Sequence, residues 1–309
     1  MITKSSVAVA VFSALLAFTS CKSKGKSEAS IAYDADLIQR IRAAAQAVPG
    51  SAPTAINYTK YAESIRKWSD LIEDGSDDPC KMARTAFQII YPDGWIMVDA
   101  GMDKQVHHFF EKDGAQPFDQ AKADSVRYAV ENSKLILITH EHGDHVAGVV
   151  RTANTGSVPR KTILTRQQLN ALINKPQMPE IELNQEKSKQ YVVTDFNTIL
   201  PVAPGVVLIK APGHTPGEIM IYTRLQNGQE YLFTGDVSWT YKGIADKKLK
   251  PKSERERVGE DGDQVEDQIS WLNDLLNKEK VTMLVSHDDI MLPQYAAQGI
   301  IGNGLRTGK

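Results

Sequence analysis

The segment Ile138-Thr139-His140-Glu141-His142-Gly143-Asp144-His145 holds three of the seven histidines of the chain. His140 and His142 are two positions apart, so in extended backbone both side chains point to one side, whereas the adjacent Asp144 and His145 diverge and can serve a second centre. His214 follows "VVLIKAPG", Asp236 follows "YLFTG" and His287 follows "VTMLVS". Each therefore stands at the end of an apolar run, where a strand holds a side chain rigidly and the next loop leaves it open. Five imidazoles and two carboxylates suit two divalent metal ions. Zinc comes first, and iron or manganese accept the same donors. Two dications set against two aspartates and a shared hydroxide leave about one positive charge, enough to attract an anionic group or to stabilise a developing oxyanion.

The elements that must carry these residues alternate between strand and helix patterns. "DADLIQRIRAAAQAV" spaces Leu37, Ile38, Ile41 and Ala45 as one amphipathic helix. "AFQIIYPDGWIMVDAG" reads as two strands joined at Asp93-Gly94, and "EIMIYTRLQNGQEYLF" as a second hairpin around Asn227-Gly228. "KLILITH" is a continuous apolar strand buried on both faces, and "DHVAGVV" opens a short helix. "DQVEDQISWLNDLLNK" puts Val265, Ile269, Leu272 and Leu276 on one helical face, with the strand "VTMLVSH" after it. Helices alternating with strands that also pair as hairpins suit an α/β fold of layered sheets covered by helices. A Rossmann fold is excluded by the missing glycine-rich phosphate fingerprint.

Taken in order, these motifs resemble those of the metallo-β-lactamase superfamily: His140-x-His142-x-Asp144-His145, Gly213-His214, Gly235-Asp236 and Ser286-His287, with Asp99 in the place of an early strand-end Asp-x-Gly. The match spans roughly residues 80 to 290, and an ordered set is far more specific than any one motif. The resemblance implies an αββα four-layer sandwich with the site at one edge of the two sheets. It also implies that His140, His142 and His214 hold one metal, Asp144, His145 and His287 the other, and that Asp236 bridges. A bridging hydroxide would attack a carbonyl, and Asp144, as a terminal ligand, would return the proton to the leaving alkoxide. Asp99 is open between a turn cap and a role orienting a ligand. True β-lactamases lack the bridging aspartate, and diiron oxygen-reducing relatives carry glutamate where this chain has His142. "APGHTPG", "TGD" and "SHD" are similar to acyl-homoserine lactone lactonases, whose pocket tyrosine lies three residues after the bridging aspartate. Trp239 stands there in this chain, and Tyr241 is the nearest tyrosine, expected to donate to the substrate carbonyl. Glyoxalase II-like thioester hydrolysis, phosphodiester hydrolysis and a metal-binding surface module without turnover are the alternatives.

The chain has 309 residues, 41% hydrophobic and 24% charged, with a formal net charge of -2. That is a globular composition, and it gives no basic surface for nucleic acid. His107 and His108 in "KQVHHFFEK" match no motif and read as surface residues, and Cys80 in the turn-like "DDPCKMA" as an inert half-buried thiol. Residues 241–263 are dense in both charge signs and read as a solvated loop, with a substrate flap beside the cleft as the alternative. Residues 1–21 resemble a bacterial lipoprotein signal: Lys4, an apolar run from Val7 to Phe18, small Thr19 and Ser20, then Cys21 as the lipidated residue. Phe18 replaces the usual leucine, which leaves plain secretion open. Residues 22–32 then read as a polar tether and 33–309 as the hydrolase domain, exported and anchored to face the periplasm or the cell exterior. Cys21→Ser is expected to move the protein from the membrane fraction to the soluble fraction on cell fractionation; a wild type already soluble after export would contradict the anchor.

Overall fold

The computed structural model describes residues 31–111 and 116–308. The expected export signal and residues 22–30 of the tether lie outside them. The strands of the first sheet are β1 (Ala55–Lys67), β2 (Pro79–Tyr91), β3 (Gly94–Val98), β4 (Leu135–Leu137), β5 (Thr162–Thr165) and β6 (Val192–Thr194). Those of the second are β7 (Ile199–Ala203), β8 (Val206–Lys210), β9 (Ile219–Arg224), β10 (Glu230–Phe233) and β11 (Val281–Leu284). A last short strand, β12 (Gly302–Asn303), returns to the first sheet, whose order is β12-β1-β2-β3-β4-β5-β6. The second sheet runs β11-β10-β9-β8-β7.

Both expected hairpins form. Asp93-Gly94 closes β2 on β3, with Tyr91 opposite Gly94, and Asn227-Gly228 closes β9 on β10, with Arg224 opposite Glu230. The period-two alternation of strand side chains then sorts the apolar residues into layers. Ile56, Phe87, Ile89, Ile96 and Val98 of the first sheet meet Leu208, Ile221, Tyr231, Phe233 and Leu284 of the second in one buried cluster. On the other face of the second sheet, Val207, Ile209, Met220, Tyr222 and Leu232 pack under the helices Leu37–Ala44 and Gly262–Lys278, which contribute Leu37, Ile41, Val265, Ile269 and Leu272. On the far face of the first sheet, Met97, Ile136 and Leu164 pack with Val126, Val130, Val146 and Leu172 from three further helices. The order is thus helix, sheet, sheet, helix, as the motifs implied. Each such side chain fully removed from water contributes about 1.5–3 kcal/mol.

Three local expectations need correction, and one strand had no counterpart among them. β1 was not foreseen, because "AINYTKYAESIRK" mixes charges with apolar residues; it is stabilised by pairing along almost all of the equally long β2. Pro79 to Lys81, read as part of a turn, open β2 opposite Lys67 to Ile65. Cys80 is half-buried there, and burial pushes its thiol up to about 11, which leaves it unreactive. His107 is not a surface residue: it is fully buried in the helix Lys104–Phe109, its ring 5.3 Å from that of Phe118, while His108 is exposed. Residues 241–263 are not one solvated loop, since they include the helices Tyr241–Ala245 and Lys252–Val258 and the buried Lys250.

Gly148, which interrupts the apolar run of the helix Gly143–Val150, lets that helix lie directly on the β3 exit. A Cβ there would stand 2.1 Å from the Ala100 carbonyl oxygen, and the Gly148 amide donates to the Gly101 oxygen at 2.9 Å. Gly148→Ala should lower unfolding free energy by about 1–3 kcal/mol, the usual cost of overpacking; chemical denaturation with an unchanged midpoint would show that the helix can shift freely.

Candidate active site

β3 and β4 are parallel, and β8, β10 and β11 share one direction, because β8 and β10 are both antiparallel to β9 and β11 is parallel to β10. Their C-terminal ends carry Asp99, His140, His214, Asp236 and His287, while His142 precedes and Asp144 and His145 occupy the first turn of the helix Gly143–Val150. The two sheets are joined at this edge by backbone. Ala83 donates to the His287 oxygen at 3.0 Å, Ile219 donates to the Thr139 oxygen at 2.8 Å, and the Thr85 hydroxyl donates to the Ser286 oxygen at 2.6 Å.

The side chains converge in two groups. His140, His142, His214 and Asp236 form one, Asp144, His145 and His287 the other, and within each group the ligand atoms lie within 4.8 Å of one another. His140 Nε2 and His214 Nε2 are each 3.1 Å from His142 Nδ1, and His145 Nε2 is 3.3 Å from His287 Nε2. The far nitrogens of three of these rings have acceptors: His145 Nδ1 faces Asp99 Oδ2 at 2.8 Å, His214 Nδ1 faces Glu260 Oε2 at 2.8 Å, and His287 Nδ1 faces the Ala83 oxygen at 2.6 Å. A neutral imidazole that donates from its far nitrogen presents a lone pair at the near one. Lone pairs facing each other at these distances repel unless a cation or proton lies between them. Asp236 Oδ1 is also buried without a hydrogen-bond partner. Both features fit divalent cations held by these residues.

For His140 and His142 the electrostatics agree with that fit. Burial and then the neighbouring His214 push His142 down to about 3, and burial with His145 beside it holds His140 well below its ordinary value, so both are neutral donors of a lone pair. His145 is pulled the other way: burial opposes protonation, but Asp144, Asp99 and Asp236 outweigh it. Burial would raise the Asp236 carboxyl, yet His287, His145 and His140 keep it well below the usual carboxylate range. Asp99 adopts a φ of 62°, uncommon outside glycine, and is held there by accepting from the Thr139 amide at 2.8 Å and its hydroxyl at 3.0 Å. Of the two readings open for Asp99, its contact with His145 supports the ligand-orienting one.

Several site residues escaped the sequence. Arg84 is buried, with Nη1 2.5 Å from Asp144 Oδ2 and its guanidinium carbon 4.6 Å from the centre of the Phe110 ring. Its signal was a lone charge within "MARTAF". Glu218, directly before β9, accepts from the Asp236 amide at 2.9 Å through Oε1, and Oε2 stands 3.3 Å from His140 Nδ1. Glu141 is buried beside the Thr215 hydroxyl, which donates at 2.9 Å, and burial pushes its carboxyl up to about 7. Trp239 lines the cleft, and its Nε1 donates to Asp236 Oδ2 at 2.9 Å. Tyr241 is not brought to the cleft. Its backbone amide donates to Asp288 Oδ2 at 2.7 Å, its ring packs against the core under the helices of the second sheet, and its hydroxyl pairs with Tyr295. Leu71, Met82 and Phe110 also line the cleft, together with Glu254, Arg257 and Val258 from the helix Lys252–Val258.

The family model described as metallo-beta-lactamase superfamily matches residues 83–287. A curated N-acyl homoserine lactonase of Bacillus thuringiensis is 24% identical over 163 residues, 53% of this chain and 59% of that protein, so the chain spans about three fifths of its length. A solved N-acyl homoserine lactone hydrolase, with the product N-hexanoyl-L-homoserine bound at its catalytic metal center, is similar with a TM-score of 0.62 and 18% identity, over 79% of this chain and 96% of that one. A dizinc quorum-quenching lactonase is similar with a TM-score of 0.51 and 15% identity, over 75% of this chain and 86% of that one. At these identities the structures show a shared fold.

Arg84 offers the sharpest local test. Removing one partner of a buried ion pair leaves an uncompensated charge, so Arg84→Met should cost about 3–5 kcal/mol of stability. Denaturation equal to wild type would mean that Asp144 finds its balance elsewhere in the site.

Proposed function

The chain belongs to the metallo-β-lactamase superfamily, and on that premise we propose that it is a dinuclear metal-dependent hydrolase acting on a lactone or a related carboxylic ester. The observation that carries this reading is the convergence of seven candidate ligand atoms in two groups, with imidazole lone pairs turned toward each other. His140, His142 and His214 would hold one cation and Asp144, His145 and His287 the other. Asp236 would bridge, since Oδ2 stands 3.5 Å from His214 Nε2 while Oδ1 stands 3.4 Å from His145 Nε2. Zinc is our assignment from the imidazole and carboxylate donors. Bound there, two such ions would supply Lewis acidity toward a substrate oxygen and lower the pKa of water toward neutrality.

The side chains of the chain itself supply the rest. Leu71, Met82, Phe110 and Trp239 give the cleft apolar surface for the acyl part of an ester. Trp239 has a single donor and directs it to Asp236, so it fixes the bridge and is not free to bond the substrate carbonyl. Burial would raise the Asp144 carboxyl, but Arg84, His145 and His287 hold it well below the usual range. That favours ligation for Asp144 over the proton return expected of it. With Tyr241 outside the cleft, its expected bond to the substrate finds no support in the geometry. The lactone assignment draws on the named relatives, and export with a lipid anchor at Cys21 is proposed from the N-terminal pattern alone.

Metal analysis together with a substrate panel tests the reading. The mature protein should bind two zinc ions, His214→Ala and His287→Ala should each weaken a different one, and lactones should be hydrolysed faster than thioesters, phosphodiesters or nitrocefin. Saturation at one ion with both variants unchanged would overturn the dinuclear site. Faster phosphodiester turnover would move the substrate class, and two ions without turnover would point to a binding module.

A further inference from the structure

Between Asp236 and the helix Gly262–Lys278 the chain forms the cleft wall, and the wall has an unusual support. The helix Lys252–Val258 has no buried residue of its own. Val258 packs on Leu71, Met82 and Trp239, Arg255 Nη2 lies 2.6 Å from Glu73 Oε1, and both ends of the helix are joined by a buried ion pair: Lys250 Nζ lies 2.6 Å from Glu260 Oε2, with the two side chains 1% and 0% exposed. Lys250 also donates to the Asp236 oxygen at 2.7 Å and the Val237 oxygen at 3.0 Å, so all three of its N–H groups are taken. Its ammonium stands 5.3 Å from the centre of the Trp239 ring. Glu260 Oε2 accepts a second bond, from His214 Nδ1 at 2.8 Å. The Asp261 amide donates to the Gly213 oxygen at 2.9 Å, which joins the end of the wall to the turn that carries His214.

Burying two charges is costly, and such a pair is weak evidence of a device for stability. Its placement supplies another reason. By accepting from Nδ1, Glu260 sets the tautomer of His214 and turns Nε2 toward His142 and Asp236, and by pairing with Lys250 it fixes the wall that carries Glu254, Arg257 and Val258. We propose that Glu260 and Lys250 are positioning residues that fasten the substrate-facing wall to His214, so that retention of one metal ion and the shape of the cleft depend on the same ion pair. This rests on the metal-site reading above.

The test uses the full mature chain loaded with zinc, and the variants Glu260→Ala, Glu260→Gln and Lys250→Met. Chelator competition should show one zinc held about 10–100-fold more weakly in Glu260→Ala, the usual effect of losing a group that orients a ligand, with the other zinc as tight as in wild type. Glu260→Gln keeps an acceptor for His214 and should retain more of that affinity. Lys250→Met and Glu260→Gln should both speed amide hydrogen exchange across residues 251–259. If Glu260→Ala does not fold, wild-type zinc affinity combined with wild-type exchange in Glu260→Gln overturns the proposal. So does a lowered Tm in Glu260→Ala with both zinc affinities unchanged, which is what a purely structural pair would give. A wild type that binds no zinc overturns the metal reading itself, and this inference with it.

Discussion

Seven metal-seeking side chains share one buried edge of this fold only because the far end of nearly every one is held by something else. Asp99 holds His145, Glu260 holds His214, the Ala83 carbonyl holds His287, Arg84 holds Asp144, and Trp239 with the Glu218-bound backbone holds Asp236. Left to themselves, crowded imidazoles and carboxylates would swing apart or exchange protons until their repulsion was relieved. Tied from behind, they keep their lone pairs pointed inward. Asp99 even adopts a left-handed backbone to reach both Thr139 and His145, a local strain that the parallel pairing of β3 with β4 sustains.

The same ties shape the cleft. Arg84 lies between Asp144 and the face of Phe110, so the charge that balances a candidate ligand also braces an aromatic wall. Trp239, packed with Leu71 and Met82, donates its N–H to Asp236 and has its ring centre 6.2 Å from that of His214, the two rings steeply inclined. Substrate surface and candidate metal centre are therefore built from the same side chains in alternating roles, which leaves few cleft residues that could change without disturbing the ligands.

Much of this could be read from the sequence, and the boundary is physical. The two Asx-Gly hairpins, the amphipathic helices and the strand-end histidines are local signals, visible in a few residues, and the structure places them as expected. β1 is not legible in that sense: its charged residues are tolerated because the next strand, β2, supplies backbone partners along almost all of its length, which no pattern within β1 itself announces. His107 and Lys250 look like surface residues by type, and only Phe118 in one case and Glu260 in the other explain their burial. Tyr241 illustrates the converse error. Counting positions from Asp236 put a tyrosine near the site, but Thr240 caps a new helix by accepting from the Gly243 amide, and that helix directs the Tyr241 ring toward the core.

The seam where the two sheets meet has one more consequence. His140, His142, Asp144 and His145 come from the first sheet and its following helix, whereas His214, Asp236 and His287 come from the second. Any ion held by both sets recognises only chain in which the halves have already closed on each other. By mass action, folding would then be linked to the free concentration of that ion, gaining about 1.4 kcal/mol per site for each tenfold rise above its dissociation constant. In a metal-poor environment that contribution would be lost, and the packing of the apolar residues between the two sheets would have to hold the halves together alone. Stability and any metal-assisted chemistry would then depend on the same ions.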